Sequence, residues 1–324
     1  MKSMLMDSLT KLQLLNEFNL SFSLRLLLLL SKLASLQSLT VGPGLSSQHL
    51  LQIYTLTGLT YLKLRFHKPD PEWTWNRMPM DSLTELQVLK ELKLSFPPRL
   101  PLWLSKLANL QSLTVAPKTA AILDMSALTQ VSSLRLGQGY RIQTRIPVVL
   151  PTGPKARLLA LAIHTLCDFQ NLHEANHLTE IEVSAKPDIM HVVSWPTALL
   201  HLHCLNVCKD IDRYMPPYSC MSPRCYLLPD EWQHYTQPRV LCLPHFEARS
   251  LPAWFSNLQQ LNVLSMPDAK MGGVPECLFH LSELKHLDLS RFQGLLTMPI
   301  VKLADLPQLT HLNFEETKAY GTSL

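Results

Sequence analysis

Glycine is scarce in this chain, 10 residues in 324, which leaves little material for loops whose backbone N–H groups cradle a phosphate. Clustered charge is scarce too. No two Lys or Arg residues are adjacent, neither end carries a charged tail, and the net charge is only +4. Nucleic-acid binders concentrate positive charge on one face or stripe, so no nucleic-acid partner is expected. Long apolar runs are missing as well. The most apolar run, Leu24 to Leu30, is too short to cross a bilayer and contains Arg25. Its counterpart further along, Pro98 to Leu104, is an ordinary connector with Arg99 in the matching place, so no membrane insertion is expected. The first residues show no apolar signal core with a small-residue cleavage site. Seven cysteines at irregular spacing then point to free thiols in a reducing, cytoplasmic setting rather than a disulfide framework.

Catalytic and metal signatures are equally thin. There is no G-x-S-x-G, no H-E-x-x-H and no C-x-x-C. His201, His203, Cys204, Cys208, Cys220 and Cys225 fall within 25 residues. Cys204-x3-Cys208 and Cys220-x4-Cys225 satisfy tetrahedral zinc spacing only loosely. The plainer reading, variable strand positions followed by a Pro-rich loop, outweighs it, and no metal or cofactor is assigned. Cys167 beside Asp168 and Cys277 near His280 are the nearest approach to a cysteine nucleophile with a base, and neither lies in a recognisable motif.

What the chain does contain is itself, twice. Residues 7–43 and 81–117 align without a gap at an offset of 74, and 26 of those 37 positions are identical. Each copy holds two smaller units in which an L-x-x-L run leads into an apolar–variable–apolar pair. Such pairs recur from Phe18/Leu20, Leu39/Val41 and Leu62/Leu64 through to Leu287/Leu289 and Leu312/Phe314, mostly 20 to 25 residues apart. An alternating pair is the mark of a short, half-buried strand. One such strand cannot bury its apolar side alone, but parallel stacking on similar neighbours makes a continuous core. The connectors are too short for long helices.

In period and pattern the chain resembles the leucine-rich repeat family. Leu100-Pro101, Leu251-Pro252, Val274-Pro275 and Met298-Pro299 open units in a way that is similar to plant disease-resistance repeat domains and Ras-group leucine-rich repeat proteins. The resemblance implies an α/β solenoid: an arc with a parallel β-sheet on the concave face and short helical or 3-10 turns and loops on the convex face. It implies one domain over residues 1–324, regular over 7–136 and 251–316, irregular and insert-bearing over 137–250. The sequence departs from the family where a ladder Asn or Cys usually follows the strand pair. Gly44, His67, Pro97, Lys118, Gly139, Phe246, Ala269, Phe292 and Thr317 stand there, which predicts looser outer turns. No polar cap is evident at either end, suggesting further domains of a longer protein or a capping partner.

The residues flanking each pair should face water on the concave side. Tyr61, Lys63, Arg65, Glu91, Lys93 and Arg135 make its early part largely basic. His164, Glu180, Glu182, Asn206 and the intervening Cys204 make the middle acidic, and His286, Asp288, His311, Asn313 and Glu315 complete it. Graded charge on such a face sets partner choice, so the expected role is a non-enzymatic protein-binding module. The resemblance adds signalling or immune-type sensing. The alternatives are the substrate-recognition part of a ubiquitin ligase, or a cysteine-dependent enzyme with its repeats as substrate reader. Aromatic anchors are thin on this face; Trp73, Trp75 and Trp232 lie in the inserts and are expected to add contact surface.

Overall fold

The computed structural model describes residues 16–20, 35–42, 53, 55–65, 84–95, 100, 102–117, 122–137, 145–164, 167–184, 199, 201–208, 228–295, 303 and 306–319. The chain divides into two compact units, Met1–Leu158 with Cys167–Asn171, and Leu159–Leu166 with Leu172–Leu324.

The first unit contains β1 (Glu17–Leu20), β2 (Ser38–Val41), β3 (Tyr61–Arg65), β4 (Glu91–Ser95), β5 (Ser112–Ala116), β6 (Leu123–Asp124), β7 (Ser133–Leu136) and β8 (Ile146–Val149). After β9 (Ala160–Ile163), which belongs to the second unit, β10 (Cys167–Phe169) completes the first. The main sheet of this unit runs β1-β2-β3-β4-β5-β7, every pair parallel. A smaller parallel ladder, β10-β8-β6, accompanies it.

The second unit adds β11 (Glu180–Ser184), β12 (Cys204–Cys208), β13 (Val240–Cys242), β14 (Val263–Ser265), β15 (Lys270–Gly273), β16 (His286–Asp288), β17 (Gln293–Leu295), β18 (His311–Asn313) and β19 (Lys318–Ala319). Its main sheet runs β9-β11-β12-β13-β14-β16-β18 and its small ladder β15-β17-β19. Each unit is therefore a parallel-sheet solenoid with one main strand per repeat.

The leucine pattern accounts for this arrangement. Eleven consecutive pairs, from Leu39/Val41 to Leu287/Leu289, are at most 2% exposed. A fully buried Leu or Val gains roughly 1.5–3 kcal/mol over an exposed one, and strict alternation puts both members on the same side of the strand. The upstream L-x-x-L is a turn closed by its own backbone. Leu59 N donates to Leu56 O at 3.0 Å, Leu110 N to Leu107 O at 3.1 Å and Leu261 N to Leu258 O at 3.0 Å. Both leucines of each turn are buried.

The Leu-Pro openings form a second recurrent device. Pro229, Pro252 and Pro275 each precede a 3-10 helix, at Asp230–His234, Ala253–Asn257 and Glu276–His280. Proline suits that place because its fixed φ is preset and its missing N–H is not needed. The third residue after each proline is fully buried: Trp232, Phe255 and Leu278. Trp232 is thus a core residue at 1% exposure, not the contact surface expected of it. The spacing Leu228-Pro229-x-x-Trp232 matches Leu251-Pro252-x-x-Phe255 and explains why. Trp73 and Trp75 lie outside the described residues.

Two further expectations change. The step between Leu134 and Leu161, in the stretch expected to be irregular and insert-bearing, contains a strand: its IPVV segment forms β8, with Ile146 and Val148 fully buried. β-branched residues in alternation suit a pleated, half-buried strand. The turns after the last four main strands are regular rather than loose. Each places a non-glycine residue in the left-handed region, at His245 (φ 55°), Asp268 (φ 57°), Arg291 (φ 54°) and Glu316 (φ 56°). Successive turns are joined by backbone bonds, His245 N to Pro267 O at 2.7 Å, Asp268 N to Ser290 O at 2.8 Å and Arg291 N to Glu315 O at 2.8 Å.

In place of a ladder Asn, the next residue plugs the core: Phe246, Ala269 and Phe292 are at most 1% exposed. Thr317 instead donates through Oγ1 to Leu289 O at 3.1 Å. The other expected ladder positions, Gly44, His67, Pro97, Lys118 and Gly139, lie outside the described residues. A true asparagine clamp occurs in the first unit, where Asn171 Oδ1 accepts from Leu150 N at 2.8 Å and Nδ2 donates to Leu150 O at 2.9 Å.

These devices differ in what their loss costs. Phe292→Ala should lower unfolding stability by about 3–5 kcal/mol through the cavity it leaves. Asn171→Ala should cost about 1–3 kcal/mol, because both backbone groups of Leu150 lose their partner. Urea unfolding of both variants checks the ranking, and near-wild-type stability for Phe292→Ala would show that the corner is not part of the core.

Candidate functional site

Because the buried pairs fix which side of each main strand faces inward, the side chains between and beside them line up in rows across the sheet. In the first unit the pairing Tyr61↔Glu91, Lys63↔Lys93 and Arg65↔Ser95 brings six polar groups together. Lys93 Nζ bonds Glu91 Oε1 at 2.8 Å and stands 5.0 Å from the centre of the Tyr61 ring. Those two contacts hold its charge, and the Glu91 hydrogen bond leads in raising its pKa. Lys63 has the opposite balance. Partial burial, then Arg65, then Lys93 push its pKa down, and among the described residues no carboxylate pairs with Lys63 or Arg65. Like charges directly opposite on adjacent strands repel. Arg135 stands two strands further along, level with Thr114 on β5, and is exposed. Among the described residues of this unit's main sheet, cations are therefore in excess.

In the second unit the corresponding row reads Glu182, Asn206, Cys242, Ser265, Asp288 and Asn313. His164, just beyond β9, is only 9% exposed, and its Nε2 lies 3.0 Å from Glu182 Oε1. Of the residues expected to meet a ligand it is the one the fold buries. Glu180, which is exposed, pairs with the half-buried Cys204 on the next strand.

Asp288 and Asn313 spend part of their polar capacity locally. Asp288 Oδ2 accepts from Ser265 Oγ at 3.0 Å and Oδ1 from Ser290 N at 3.0 Å. Asn313 Oδ1 accepts from Glu315 N at 2.9 Å. Side-chain-to-backbone bonds two residues on are what Asp and Asn supply to turns, and these two lead into the left-handed corners at Arg291 and Glu316. Glu315 itself is exposed beyond the strand and accepts Arg291 N through its carbonyl. His286 and His311 are direct partners across β16 and β18, with rings stacked at 4.2 Å between centroids and 16° between planes.

The left-handed corners carry a column of alternating charge that the pair-flanking pattern does not include. His245 Nδ1 lies 3.6 Å from Asp268 Oδ2. Asp268 takes Arg291 bidentately, Nε to Oδ1 and Nη2 to Oδ2, each at 2.8 Å. The spacing of 23 residues between them was visible in the sequence; that these positions share a surface column was not.

Among the described residues, burial holds Cys167, Cys204, Cys242 and Cys277 toward the protonated thiol. Burial alone pushes Cys167 up to about 12. Burial, then the charge of Glu180, brings Cys204 to about 11, and burial brings Cys277 to about 11. Cys220 and Cys225 lie outside the described residues. Among the described residues no group of three or more His, Cys, Asp or Glu is placed to hold a metal ion, and no helix is long and apolar enough to cross a membrane.

No protein-family model matches the sequence, and no curated protein matches it. Solved structures do. TLR13, in its complex with ssRNA13, aligns over 95% of this chain and 45% of its own, with 19% identity and a TM-score of 0.58. This chain thus spans less than half the length of that one. An internalin (inlF) from Listeria monocytogenes aligns over 87% of this chain and 82% of its own, at 15% identity and TM-score 0.44. The leucine-rich repeat protein LIC12759 of Leptospira interrogans aligns over 96% and 80%, at 17% identity and TM-score 0.46. At 19% identity the TLR13 match speaks for architecture alone, and it agrees with the repeat period, the buried pairs and the parallel ladders: the chain has the leucine-rich repeat fold.

Proposed function

We propose that this chain is a non-enzymatic protein-recognition module, acting as one leucine-rich repeat domain, in which the solvent-facing side of the first unit's main sheet receives an acidic segment of a partner protein. The observation that carries the reading is the group Lys63, Arg65 and Lys93, three cations on adjacent strands with one carboxylate, Glu91, among them. Bringing an anion to that group relieves repulsion already present in the free protein, and complementary charge speeds encounter and selects partners. Tyr61 beside Lys93 supplies the aromatic anchor that interfaces favour. Repeat arrays of this kind use extended sheet faces for binding. A setting in signalling or immune-type sensing in the cytoplasm goes with the resemblance to disease-resistance repeats. The TLR13 structure is a complex with ssRNA13; here the cations form one small group with a carboxylate among them rather than an extended basic stripe, which favours a protein ligand over a nucleic acid.

The triple variant Lys63→Glu, Arg65→Glu, Lys93→Glu should weaken binding of a poly-glutamate peptide at least tenfold while leaving the melting temperature nearly unchanged, since these side chains are half-buried or exposed. Unchanged peptide affinity, or an oligonucleotide bound as tightly as the peptide, sinks the reading. Binding should also weaken as salt rises, because exposed charges are screened.

The reading as a cysteine-dependent enzyme makes a different demand, a thiol with a depressed pKa. At neutral pH, Cys204 and Cys277, raised from 9.0 to about 11, hold roughly a hundredfold less thiolate than unshifted thiols. Alkylation of native protein with iodoacetamide, mapped by mass spectrometry, should therefore be slow at Cys167, Cys204 and Cys277. One of them labelling faster than free cysteine would favour the enzyme.

A further inference from the structure

We infer, on the acidic-segment reading of the first unit, that the segment it receives carries a phosphoserine or phosphothreonine. The phosphate sits between Lys63 and Lys93, flanked by the hydroxyls of Thr40 and Thr114.

The strand register assembles this place. Thr40 on β2 pairs with Lys63 on β3, Lys63 with Lys93 on β4, and Lys93 with Thr114 on β5. All four occupy solvent-side positions between buried apolar neighbours, so they rise from one side of the sheet in a single row. The row contains hydrogen-bond donors and no carboxylate. Glu91, the one carboxylate of β2 to β5, stands in the adjacent row. Its hydrogen bond with Lys93, at 2.8 Å, leaves that ammonium two of its three N–H donors. Among the described residues no carboxylate pairs with Lys63, and no hydrogen bond engages the hydroxyl of Thr40 or Thr114.

Charge and geometry select a phosphate over a carboxylate. On β3 and β4, Lys63, Arg65 and Lys93 stand against Glu91 alone, which leaves two positive charges. A phosphorylated side chain brings a charge of about −1.5 to −2 at neutral pH and three acceptor oxygens, whereas one Asp or Glu brings a single charge and two oxygens. Neighbouring strands lie about 4.8 Å apart. The ammonium groups of two directly paired lysines therefore reach one tetrahedral anion, each holding a different oxygen at about 2.8 Å. Partial burial, Arg65 and Lys93 together hold Lys63 below its ordinary pKa, and a dianion between the lysines offsets the repulsion. Tyr61 is the one aromatic residue of β2 to β5 and lies against Lys93. Successive nucleic-acid bases would find no stacking platform there.

The test titrates the full chain, by fluorescence anisotropy at fixed salt, with three labelled peptides. They share one glutamate-rich sequence and differ at a central residue: serine, glutamate or phosphoserine. The phosphoserine peptide should bind roughly tenfold tighter than the glutamate peptide. Lys63→Gln and Lys93→Gln should each remove most of that advantage, Thr40→Val and Thr114→Val a smaller part, and Glu91→Gln should enlarge it. Equal affinity for the phosphoserine and glutamate peptides overturns the inference and leaves the acidic-segment reading standing. Failure of all three peptides to bind overturns that reading and the phosphate with it. Displacement of the bound phosphopeptide by an equimolar single-stranded oligonucleotide also overturns the inference. If a lysine variant melts early, the three-peptide comparison on the unaltered protein decides by itself.

Discussion

Everything in this molecule depends on a register constraint. Each main strand is paired in parallel with its neighbour, and each paired position repeats the residue class of the one before it: Leu39 beside Leu62 beside Leu92 beside Leu113. Since side chains alternate with a period of two, a slip of one residue would drive a leucine into water and a lysine or glutamate into the core. The apolar pairs thus specify the register, and the register decides which polar side chains meet. The rows of charge on the sheet follow from how the core is locked.

That dependence explains what the sequence made legible. The strand positions, their parallel order and the outward placement of Lys63, Glu182 and Asn313 follow from period and alternation, and the structure has each of them there. Much of the remainder was hidden because it turns on backbone conformation rather than polarity. The corners at His245, Asp268, Arg291 and Glu316 are left-handed without glycine or asparagine, and at Arg291 and Glu316 no residue preference announces them. Phe246 and Phe292 looked like failures of a polar ladder, whereas they are plugs that complete the core. Trp232 was legible after all, through the Leu-Pro spacing that it shares with Phe255. His164 was not: it occupies a flanking position, yet its pairing with Glu182 and the close of β9 draw it under cover.

The two units use their exposed sheet faces differently. In the first, Lys63, Arg65 and Lys93 stand together with one carboxylate, Glu91, among them. In the second, Asp288 is engaged with Ser265 and Ser290 and Glu182 with His164, while among the described residues Asn206 Oδ1 is buried without a hydrogen-bond partner. A polar group already satisfied within the protein gains little from a ligand, because binding exchanges one hydrogen bond for another.

The left-handed corners carry a consequence for how this chain can change. A glycine at any of those four sites would relax the backbone, and a chain so sparing with glycine has not taken that route. Replacing Asp268 would remove the carboxylate that holds Arg291 and lies beside His245, and replacing Arg291 would take away the cation between the carboxylates of Asp268 and Glu316. Mutational drift at one corner is therefore felt by the next, so these positions are expected to vary together, as compensated pairs, rather than singly.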